Sequence, residues 1–356
     1  MATHRAITVQ SQGKAVIQDR LMPQLTDDCI LVKTTAVSLN PTDWKHLDFE
    51  ACTGTVIGCD YAGVVEAVGP AVQKVWKRGD RVAGFIHGCD AVNPANGAFS
   101  EYALAKGDLQ IKIPDYMSFE AACTIGLGIL TVGFGLYHLL GEEMLDDLEN
   151  INDKKPAQDQ SASILIYGGA TATGSLAIQV CKLLGLQVIT TCSEVNRAFM
   201  YELGADAVFD YHDAQVGDTI RQGTGDSLEI VFDTISTPQT AAICAAAISS
   251  TGGAYNALLD VRCPRLDVDT NVTMTYDIIG DDYQLGGRNI PGDKINLEFG
   301  VRWVRAAEIL VQSRRIFPHR YAVKPSGLAG ILDGLQLLRQ GKVRACKLVY
   351  KLEDTS

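Results

Sequence analysis

The sequence predicts an α/β protein with a β-rich domain and a doubly wound domain built on a parallel sheet. First, residues 1 to about 120 contain short strand-like runs separated by turns. Second, continuous apolar runs alternate with helix-like runs from residue 163, which indicates parallel strands covered on both faces. Third, 356 residues are enough for two domains that each bury a core.

Composition excludes several classes of function. Hydrophobic residues make up 47% and charged residues 21%, as in an ordinary globular enzyme. A formal net charge of -11 argues against a nucleic-acid partner, because phosphate binding needs a basic face. No apolar run follows the first charged residues, and the ten scattered cysteines form no C-x-x-C pair. We therefore expect reduced thiols and a cytoplasmic location.

Three segments of the N-terminal half carry strand signals. Residues 29–34 and 60–69 read as strands, and residues 77–82 read as a polar turn that enters an apolar strand.

The C-terminal half follows a strand–helix alternation. The predicted order is strand 163–167, helix 176–184, strand 187–191, helix 197–203, strand 207–211, strand 228–235, an alanine-rich helix to about residue 250, and strand 254–259. Gly185 and Gly204 mark the ends of the first two helices.

Two segments lie between these halves. Residues 123–140 are apolar enough for a membrane span, but several glycines and His138 interrupt them and Glu142 and Glu143 follow. We expect no membrane partner and interpret them as a buried helix between two domains. Residues 142–160, acidic and then rich in Lys, Pro and Gln, are interpreted as an exposed surface insertion.

A glycine-rich turn at 167–174 follows the first strand of the alternating half. At that position a helix N-terminus offers backbone N–H groups and a positive dipole to a pyrophosphate, and Gly168 begins the turn. Thr171 occupies a place where glycine is usual, and its hydroxyl could donate to a phosphate. The alternative is a tight turn without a ligand, but the strand–turn–helix context favours a nucleotide.

The end of the second strand bears on which nucleotide binds. NAD sites place an acidic residue there for the ribose 2′-hydroxyl, whereas residues 190–193 contain none. Hydroxyl and amide side chains, with Asn196 and Arg197 nearby, would tolerate a 2′-phosphate, which favours NADP(H). Glu194 argues in the other direction.

Five motifs then occur in the order found in the medium-chain dehydrogenase/reductase superfamily, which the chain resembles over nearly its whole length. They are residues 40–43 (NPTD), 58–63 (GCDYAG), 79–82 (GDRV), 97–102 (GAFSEY), and 341–342 with 347–349. The resemblance implies a GroES-like catalytic domain at 1–125 and 299–356. It also implies a Rossmann NADPH-binding domain at 126–298, which contains the surface insertion near 142–160.

The chain departs from the zinc alcohol dehydrogenases of that superfamily. They carry a cysteine where this chain has Asn40 and Pro41, and Gly-His-Glu where it has Gly58, Cys59 and Asp60. Catalytic zinc needs three protein ligands and structural zinc four, and neither set is present in the sequence. We therefore expect a zinc-free enzyme that reduces conjugated C=C bonds, because an enolate needs only hydrogen-bond donors.

Within the superfamily the chain is similar to the trans-acting enoyl reductases of fungal polyketide synthases, of the lovastatin and ToxD type. The similarity rests on residues 40–45, 168–173, 191–193 with Asn196, and 209–211, together with the insertion. It implies an NADPH-dependent reductase that acts on the α,β-double bond of an enoyl thioester carried by the acyl carrier domain of a polyketide synthase during secondary-metabolite biosynthesis. It also implies a monomer.

The same resemblance implies the site residues. The cofactor contacts fall on Thr42, Asp43, Trp44, Lys45, Thr171, Ala172, Thr173, Gly174, Ser193, Asn196, Tyr211, Leu258, Leu259, Arg344 and Ala345. The substrate wall falls on Val132, Gly133, Phe134, Gly135, Leu136, Tyr137, His138 and Leu139.

Lys45 is the candidate catalytic residue, either anchoring the cofactor ribose or stabilising the enolate. Thr131 is a candidate for positioning the nicotinamide, with packing at a domain junction as the alternative. Tyr61 and Tyr102 could donate a proton but are interpreted as core aromatics, and no histidine is assigned a role.

Two other functions fit the same sequence. One is a stand-alone NADPH-dependent quinone or alkenal reductase, which would prefer small free enones. The other is a non-catalytic NADPH-binding protein, which would bind the cofactor without oxidising it.

Overall fold

The computed structural model describes residues 2–149, 151 and 162–355. The strands are β1 (Thr3–Ser11), β2 (Lys14–Leu21), β3 (Cys29–Ser38), β4 (Asp60–Val68), β5 (Arg81–Phe85), β6 (Tyr102–Lys106), β7 (Ile111–Lys112), β8 (Ser163–Tyr167), β9 (Gln187–Cys192), β10 (Ala207–Asp210), β11 (Ile230–Asp233), β12 (Gly253–Ala257), β13 (Val268–Val272), β14 (Tyr283–Leu285), β15 (Arg288–Ile290), β16 (Tyr321–Lys324) and β17 (Lys347–Lys351). The helices are α1 (Pro41–Phe49), α2 (Phe119–Ala122), α3 (Gly126–Leu140), α4 (Glu143–Glu149), α5 (Ala172–Leu183), α6 (Arg197–Glu202), α7 (Val216–Gly223), α8 (Pro238–Ala247), α9 (Lys294–Gln312) and α10 (Gly327–Arg339).

The chain forms two compact units. Unit 1 comprises Met1–Leu130, Tyr276–Gln312 and Pro318–Ser356, and unit 2 comprises Thr131–Thr275 and Ser313–Phe317. The sequence-based division at 125/126 and 298/299 assigns residues 276–298 to the nucleotide domain, whereas here they pack with unit 1. The assignment of domains stays a prediction.

Unit 1 is built on a seven-stranded sheet in the order β16-β17-β3-β4-β5-β7, with β6 paired to β3. All pairs are antiparallel except β16 with β17. Strand β3 alternates as an antiparallel strand should: Ile30 and Val32 are fully buried, whereas Lys33 is exposed. This confirms the β-rich half of the predicted fold.

Unit 2 is a doubly wound sheet of six parallel strands in the order β10-β9-β8-β11-β12-β13. Ile164, Leu165 and Ile166 of β8 are all fully buried, as expected for a central parallel strand with both faces covered. The strand order reverses between β8 and β11, and ligands of such sheets bind where the carboxyl ends of the strands flank that reversal. The parallel half of the predicted fold is confirmed.

The apolar segment at residues 123–140 is mostly helical, as α3. Within the described residues, Phe119–Leu140 has the length and hydropathy of a membrane-crossing helix, but 72% of its most apolar window is buried inside the protein. Buried core helices share this composition.

The predicted insertion differs from the structure in its first part. Helix α4 buries Met144, Leu145 and Leu148, so residues 143–149 are not an exposed loop. The apolar residues recur at three- and four-residue spacing, which the acidic side chains between them obscure in the sequence. Residues 150 and 152–160 of the predicted insertion lie outside the described residues.

Candidate active site

Helix α1 carries the first group of predicted site residues. It begins after Asn40, whose backbone N–H donates to the Asp43 carboxylate at 2.6 Å, and Pro41 fits the first helical position. The helix therefore holds Thr42 and Lys45 on regular backbone. Burial lowers the pKa of Lys45, and its ammonium makes no hydrogen bond or ion pair within the described part of the chain. Lys45 is thus available to a ligand.

A buried ion-pair network lies next to α1, at the positions where the resemblance would place catalytic zinc. The Lys347 ammonium is 2.6 Å from both Asp60 Oδ2 and Asn40 Oδ1. Asp60 also accepts hydrogen bonds from Asn40 Nδ2 (2.8 Å) and the Leu127 backbone N–H (2.6 Å), whereas the Ser38 hydroxyl, 3.2 Å away, gives its hydrogen to the Cys123 carbonyl at 2.8 Å. Every one of these groups is satisfied, as a buried charge pair requires.

These residues do not fit a zinc ion. An ammonium already neutralises the Asp60 carboxylate, and burial raises the pKa of Cys59 well above the ordinary thiol value, whereas zinc binds the thiolate. Within 2–149, 151 and 162–355, no group of three or more His, Cys, Asp and Glu side chains is arranged to hold a metal.

Asp43 is the perturbed acid of this site. Burial raises its pKa to about 7, with the nearby Asp60 charge adding to the effect. Its second oxygen, Oδ1, has no hydrogen-bond partner among the described residues. An unpaired buried carboxylate oxygen is costly, so the protonated form is favoured near neutrality.

A chain of hydrogen bonds joins α1 to the short 3₁₀ turn Thr275–Ile279. Thr42 Oγ1 lies 2.7 Å from Tyr276 Oη, which lies 3.2 Å from His46 Nε2. The His87 ring stacks on the Tyr276 ring with centroids 4.0 Å apart. Sequence reasoning missed this cluster, because 230 residues separate His46 from Tyr276 and no local pattern joins them.

A cleft in unit 1 opens beside that cluster and encloses about 540 Å³ of space continuous with solvent. Its wall includes the Tyr276, His87 and Phe85 rings. Burial lowers the pKa of His87 to about 4, so its ring is neutral at neutral pH.

In unit 2 the glycine-rich turn follows β8 at the reversal point of the sheet. Gly168 has φ +85°, and a Cβ on Gly174 would lie 2.3 Å from the Gly168 carbonyl oxygen. Both glycines are therefore required by the backbone itself. The turn leads into α5 and so presents a helix N-terminus, which fits the predicted pyrophosphate.

The expectation for the Thr171 hydroxyl is wrong. Thr171 Oγ1 accepts the Gly174 N–H at 2.9 Å, which makes it the N-cap of α5. Its own hydrogen goes to Thr234 Oγ1 at 3.0 Å, because the Thr234 hydroxyl already donates to the Tyr167 carbonyl at 2.8 Å. A phosphate would therefore meet the backbone N–H groups of residues 172 and 173, and not this hydroxyl or the Gly174 N–H that it caps.

The end of β9 is polar and partly open. Asn196 Nδ2 donates to Ser193 Oγ at 3.1 Å. Glu194 pairs with Arg197 at 2.8 Å and its side chain is 68% exposed. That pairing reduces the negative charge which argued against a 2′-phosphate. Tyr211, after β10, is 39% exposed.

Four more predicted cofactor contacts lie in loops. In unit 2, the Leu258 N–H donates to Ser236 Oγ at 2.7 Å and Leu259 is 40% exposed. In unit 1, Arg344 is exposed and Ala345 has φ +48°, a conformation that an alanine adopts rarely.

The predicted substrate wall is only partly open. Val132 to Leu136 are buried, and a Cβ at Gly135 would meet the Phe232 ring at 2.7 Å. Tyr137, His138 and Leu139 are partly exposed, as expected of a wall that a ligand could reach. Thr131 is buried with its hydroxyl 3.0 Å from Thr275 Oγ1.

The two tyrosines considered as proton donors differ. Tyr61 is fully buried and donates to Gln110 Oε1 at 2.9 Å, which confirms the core interpretation. Tyr102 is partly exposed and meets the edge of the His4 ring, so it is not a core residue.

A doubly wound sheet with a glycine turn at its reversal point, in a chain that also has a β-rich unit, is an arrangement typical of nucleotide-dependent oxidoreductases. Two family models match the chain: the alcohol dehydrogenase GroES-like domain over residues 26–115 and the zinc-binding dehydrogenase over residues 172–255. A nicotinamide nucleotide is the cofactor class of this superfamily.

Full-length relatives narrow the class. The chain is 44% identical to the trans-enoyl reductase resD of Aspergillus sclerotiorum, covering 98% of this chain and 100% of resD. It is 43% identical to the trans-enoyl reductase ACTTS2 of Alternaria alternata, covering 99% and 100%. The crystal structure of CurK enoyl reductase has the same fold, with a TM-score of 0.73 at 17% identity over 98% of this chain and 99% of that one. The chain belongs to the trans-enoyl reductases of the medium-chain dehydrogenase/reductase superfamily.

Proposed function

We propose that this protein is an NADPH-dependent, trans-acting enoyl reductase. It reduces the α,β-double bond of a polyketide enoyl thioester held on the acyl carrier domain of a polyketide synthase, in secondary-metabolite biosynthesis. The observation that carries the proposal is the closed Asn40–Asp60–Lys347 network at the zinc position, in a chain so similar to trans-enoyl reductases. Because these residues offer no ligand set for a Lewis acid, reduction of a conjugated bond through an enolate is the chemistry that fits the site.

The choice of NADPH rests on the end of β9. Ser193 and Asn196 supply hydroxyl and amide groups, and Arg197 offsets the Glu194 charge. A 2′-phosphate is better matched by these groups than by a free carboxylate. In unit 2 the proposed contacts are Gly168, the turn 171–174, Ser193, Asn196, Tyr211, Leu258, Leu259 and Thr131. In unit 1 they are the α1 residues 42–45, Arg344 and Ala345.

When bound, the nicotinamide supplies a hydride to the β-carbon of the substrate. Lys45 holds the cofactor ribose or donates to the enolate oxygen, because its ammonium has no other partner among the described residues. Tyr137, His138 and Leu139 contribute the reachable part of the substrate wall, which starts at Val132.

The proposal includes a cytoplasmic, monomeric enzyme whose partner is a polyketide synthase. A small carrier domain delivers the thioester. The proposal includes no membrane and no nucleic acid as a partner.

The test is NADPH oxidation with matched substrates. A short enoyl thioester would be supplied on N-acetylcysteamine and on an isolated acyl carrier domain, beside a free alkenal and a quinone of similar size. The proposal expects faster turnover of the thioesters and higher kcat/KM on the carrier domain. Faster turnover of the alkenal or quinone would indicate a stand-alone reductase. Tight NADPH binding without oxidation by any substrate would indicate a non-catalytic protein.

A further inference from the structure

In the hydrogen-bonded trio Thr42, Tyr276 and His46, the surrounding groups determine which atom donates and which accepts in each bond. His46 Nδ1 lies 3.4 Å from the Gly88 carbonyl oxygen, and a carbonyl can only accept. Nδ1 therefore carries the imidazole hydrogen, and the neutral ring presents a bare Nε2 to Tyr276. Burial lowers the pKa of His46, which keeps the ring neutral.

The remaining hydrogens follow from that tautomer. The single hydroxyl hydrogen of Tyr276 goes to His46 Nε2 at 3.2 Å, and burial raises the pKa of this phenol so that it keeps its hydrogen. Tyr276 Oη is then an acceptor for Thr42, and the Thr42 hydroxyl donates to it at 2.7 Å. Thr42 has no second hydrogen, so its oxygen can offer only lone pairs to a ligand.

The aromatic surroundings hold the trio in place. His87 stacks on Tyr276 with an interplanar angle of 16°, and the Phe85 ring centroid lies 5.9 Å from that of Tyr276. Tyr276 is 6% exposed and His46 is 8% exposed, so water has little access to compete for these bonds.

We propose that Tyr276 and His46 are positioning residues that fix Thr42 as a hydrogen-bond acceptor for a donor on the nicotinamide half of NADPH. That donor is a ribose hydroxyl or the carboxamide N–H. Thr42 is thereby excluded from stabilising the enolate oxygen, which needs a donor. This inference rests on the proposed cofactor site.

The arrangement divides the work of α1 between two residues. Thr42 and Lys45 are three positions apart and so lie on neighbouring parts of one helix face. One is locked as an acceptor by its buried partners, and the other is a donor only. The same helix therefore offers complementary groups to cofactor and substrate.

The test is a binding cycle on the full-length protein, with NADPH affinity measured by fluorescence titration. Tyr276→Phe keeps the ring and removes the hydroxyl, so we expect NADPH to bind about 3–10-fold more weakly, as for one lost net hydrogen bond. Thr42→Val should weaken binding at least as much, and adding Tyr276→Phe to it should change nothing further, because Tyr276 acts through Thr42. The affinity for 2′,5′-ADP should be unchanged in the two single variants and the double variant, because this ligand carries only the adenosine half of NADPH, which is proposed to bind at the end of β9.

Tyr283→Phe is the matched control. Its buried hydroxyl donates to Asp277 Oδ1 at 2.7 Å and makes no bond to Thr42. Its effect on NADPH affinity should be absent, although its stability cost resembles that of Tyr276→Phe. The 3-acetylpyridine analogue of NADPH, which lacks the carboxamide N–H, distinguishes the two donors. If Thr42 accepts from a ribose hydroxyl, Tyr276→Phe should still weaken binding of the analogue. If Thr42 accepts from the carboxamide, Tyr276→Phe should have no effect on binding of the analogue.

If the wild-type protein binds NADPH, the proposed cofactor stands, and any one of three results would overturn the inference alone. They are an unchanged affinity in Tyr276→Phe, additive effects of Tyr276→Phe and Thr42→Val, or a slower single-turnover hydride step at saturating NADPH with affinity unchanged. If Tyr276→Phe does not fold, His46→Leu removes the acceptor that sets the direction and should produce the same loss. Failure of the wild type to bind NADPH would instead refute the proposed function.

Discussion

Replacing Lys347 with methionine should destabilise unit 1 far more than removal of a surface lysine would. Methionine matches the length of the side chain but leaves Asp60, which is fully buried, without the ammonium at 2.6 Å. The two neutral donors that remain on Asp60, Asn40 Nδ2 and the Leu127 N–H, do not neutralise its charge. Removing one partner of a buried pair costs about 3–5 kcal/mol, so we expect a loss of that size in the free energy of unfolding.

The assay is chemical denaturation of the full-length protein, followed by circular dichroism. Lys351→Met is the matched control: the residue lies on the same strand and pairs with Glu353 at 2.9 Å on the solvent-exposed surface, so its loss should cost far less than that of Lys347. Adding Asp60→Asn to Lys347→Met should recover part of the loss, because the uncompensated charge is gone. Equal losses in Lys347→Met and Lys351→Met would refute the reasoning.

Three further predictions follow from the site. Lys45→Ala should lower kcat about 100–1,000-fold if its ammonium holds the enolate, with Lys77→Ala as an exposed control; steady-state kinetics that match wild type would remove Lys45 from the mechanism. Gly174→Ala should abolish NADPH binding, measured by titration, because its Cβ would lie 2.3 Å from a backbone oxygen of the nucleotide turn; normal affinity would place the cofactor elsewhere. Asp43 has a folded-state pKa of about 7, raised above its unfolded value, so its contribution to stability is present at acidic pH and lost as the pH rises through about 7. Asp43→Asn should flatten that part of the stability–pH curve, and an unchanged slope would contradict the assignment.

The sequence predicted most of what local pattern controls. The boundaries of β8 agree with prediction, since its run of apolar residues is bounded by polar and glycine residues. Helix α5 begins at Ala172, ahead of the predicted 176, because Thr171 caps it. The same hydroxyl that the sequence offers to a phosphate is used by the protein as the helix cap, because the cap satisfies the Gly174 N–H.

What the sequence could not predict depends on contacts between distant segments. Lys347 is 287 residues from Asp60, and no periodicity marks either as half of a buried pair. The Thr42–Tyr276 bond spans 234 residues, and the predicted division at 125/126 and 298/299 assigns Tyr276 to the other domain. Tyr276 was assigned to no site because its role arises only when its 3₁₀ turn packs against α1.

Unit 1 is discontinuous in the chain, which has a consequence for how the protein is made. Unit 2 takes almost all of its residues from one stretch, Thr131–Thr275, and that stretch leaves the ribosome before β17 has been translated. Domains generally fold as they emerge, in order from the N-terminus. Unit 1, in contrast, waits for β17 to pair with β3 and for Lys347 to reach Asp60. A nascent chain that stalls before residue 347 would therefore hold a largely folded unit 2, while the Asp60 carboxylate of unit 1 lacks its cationic partner.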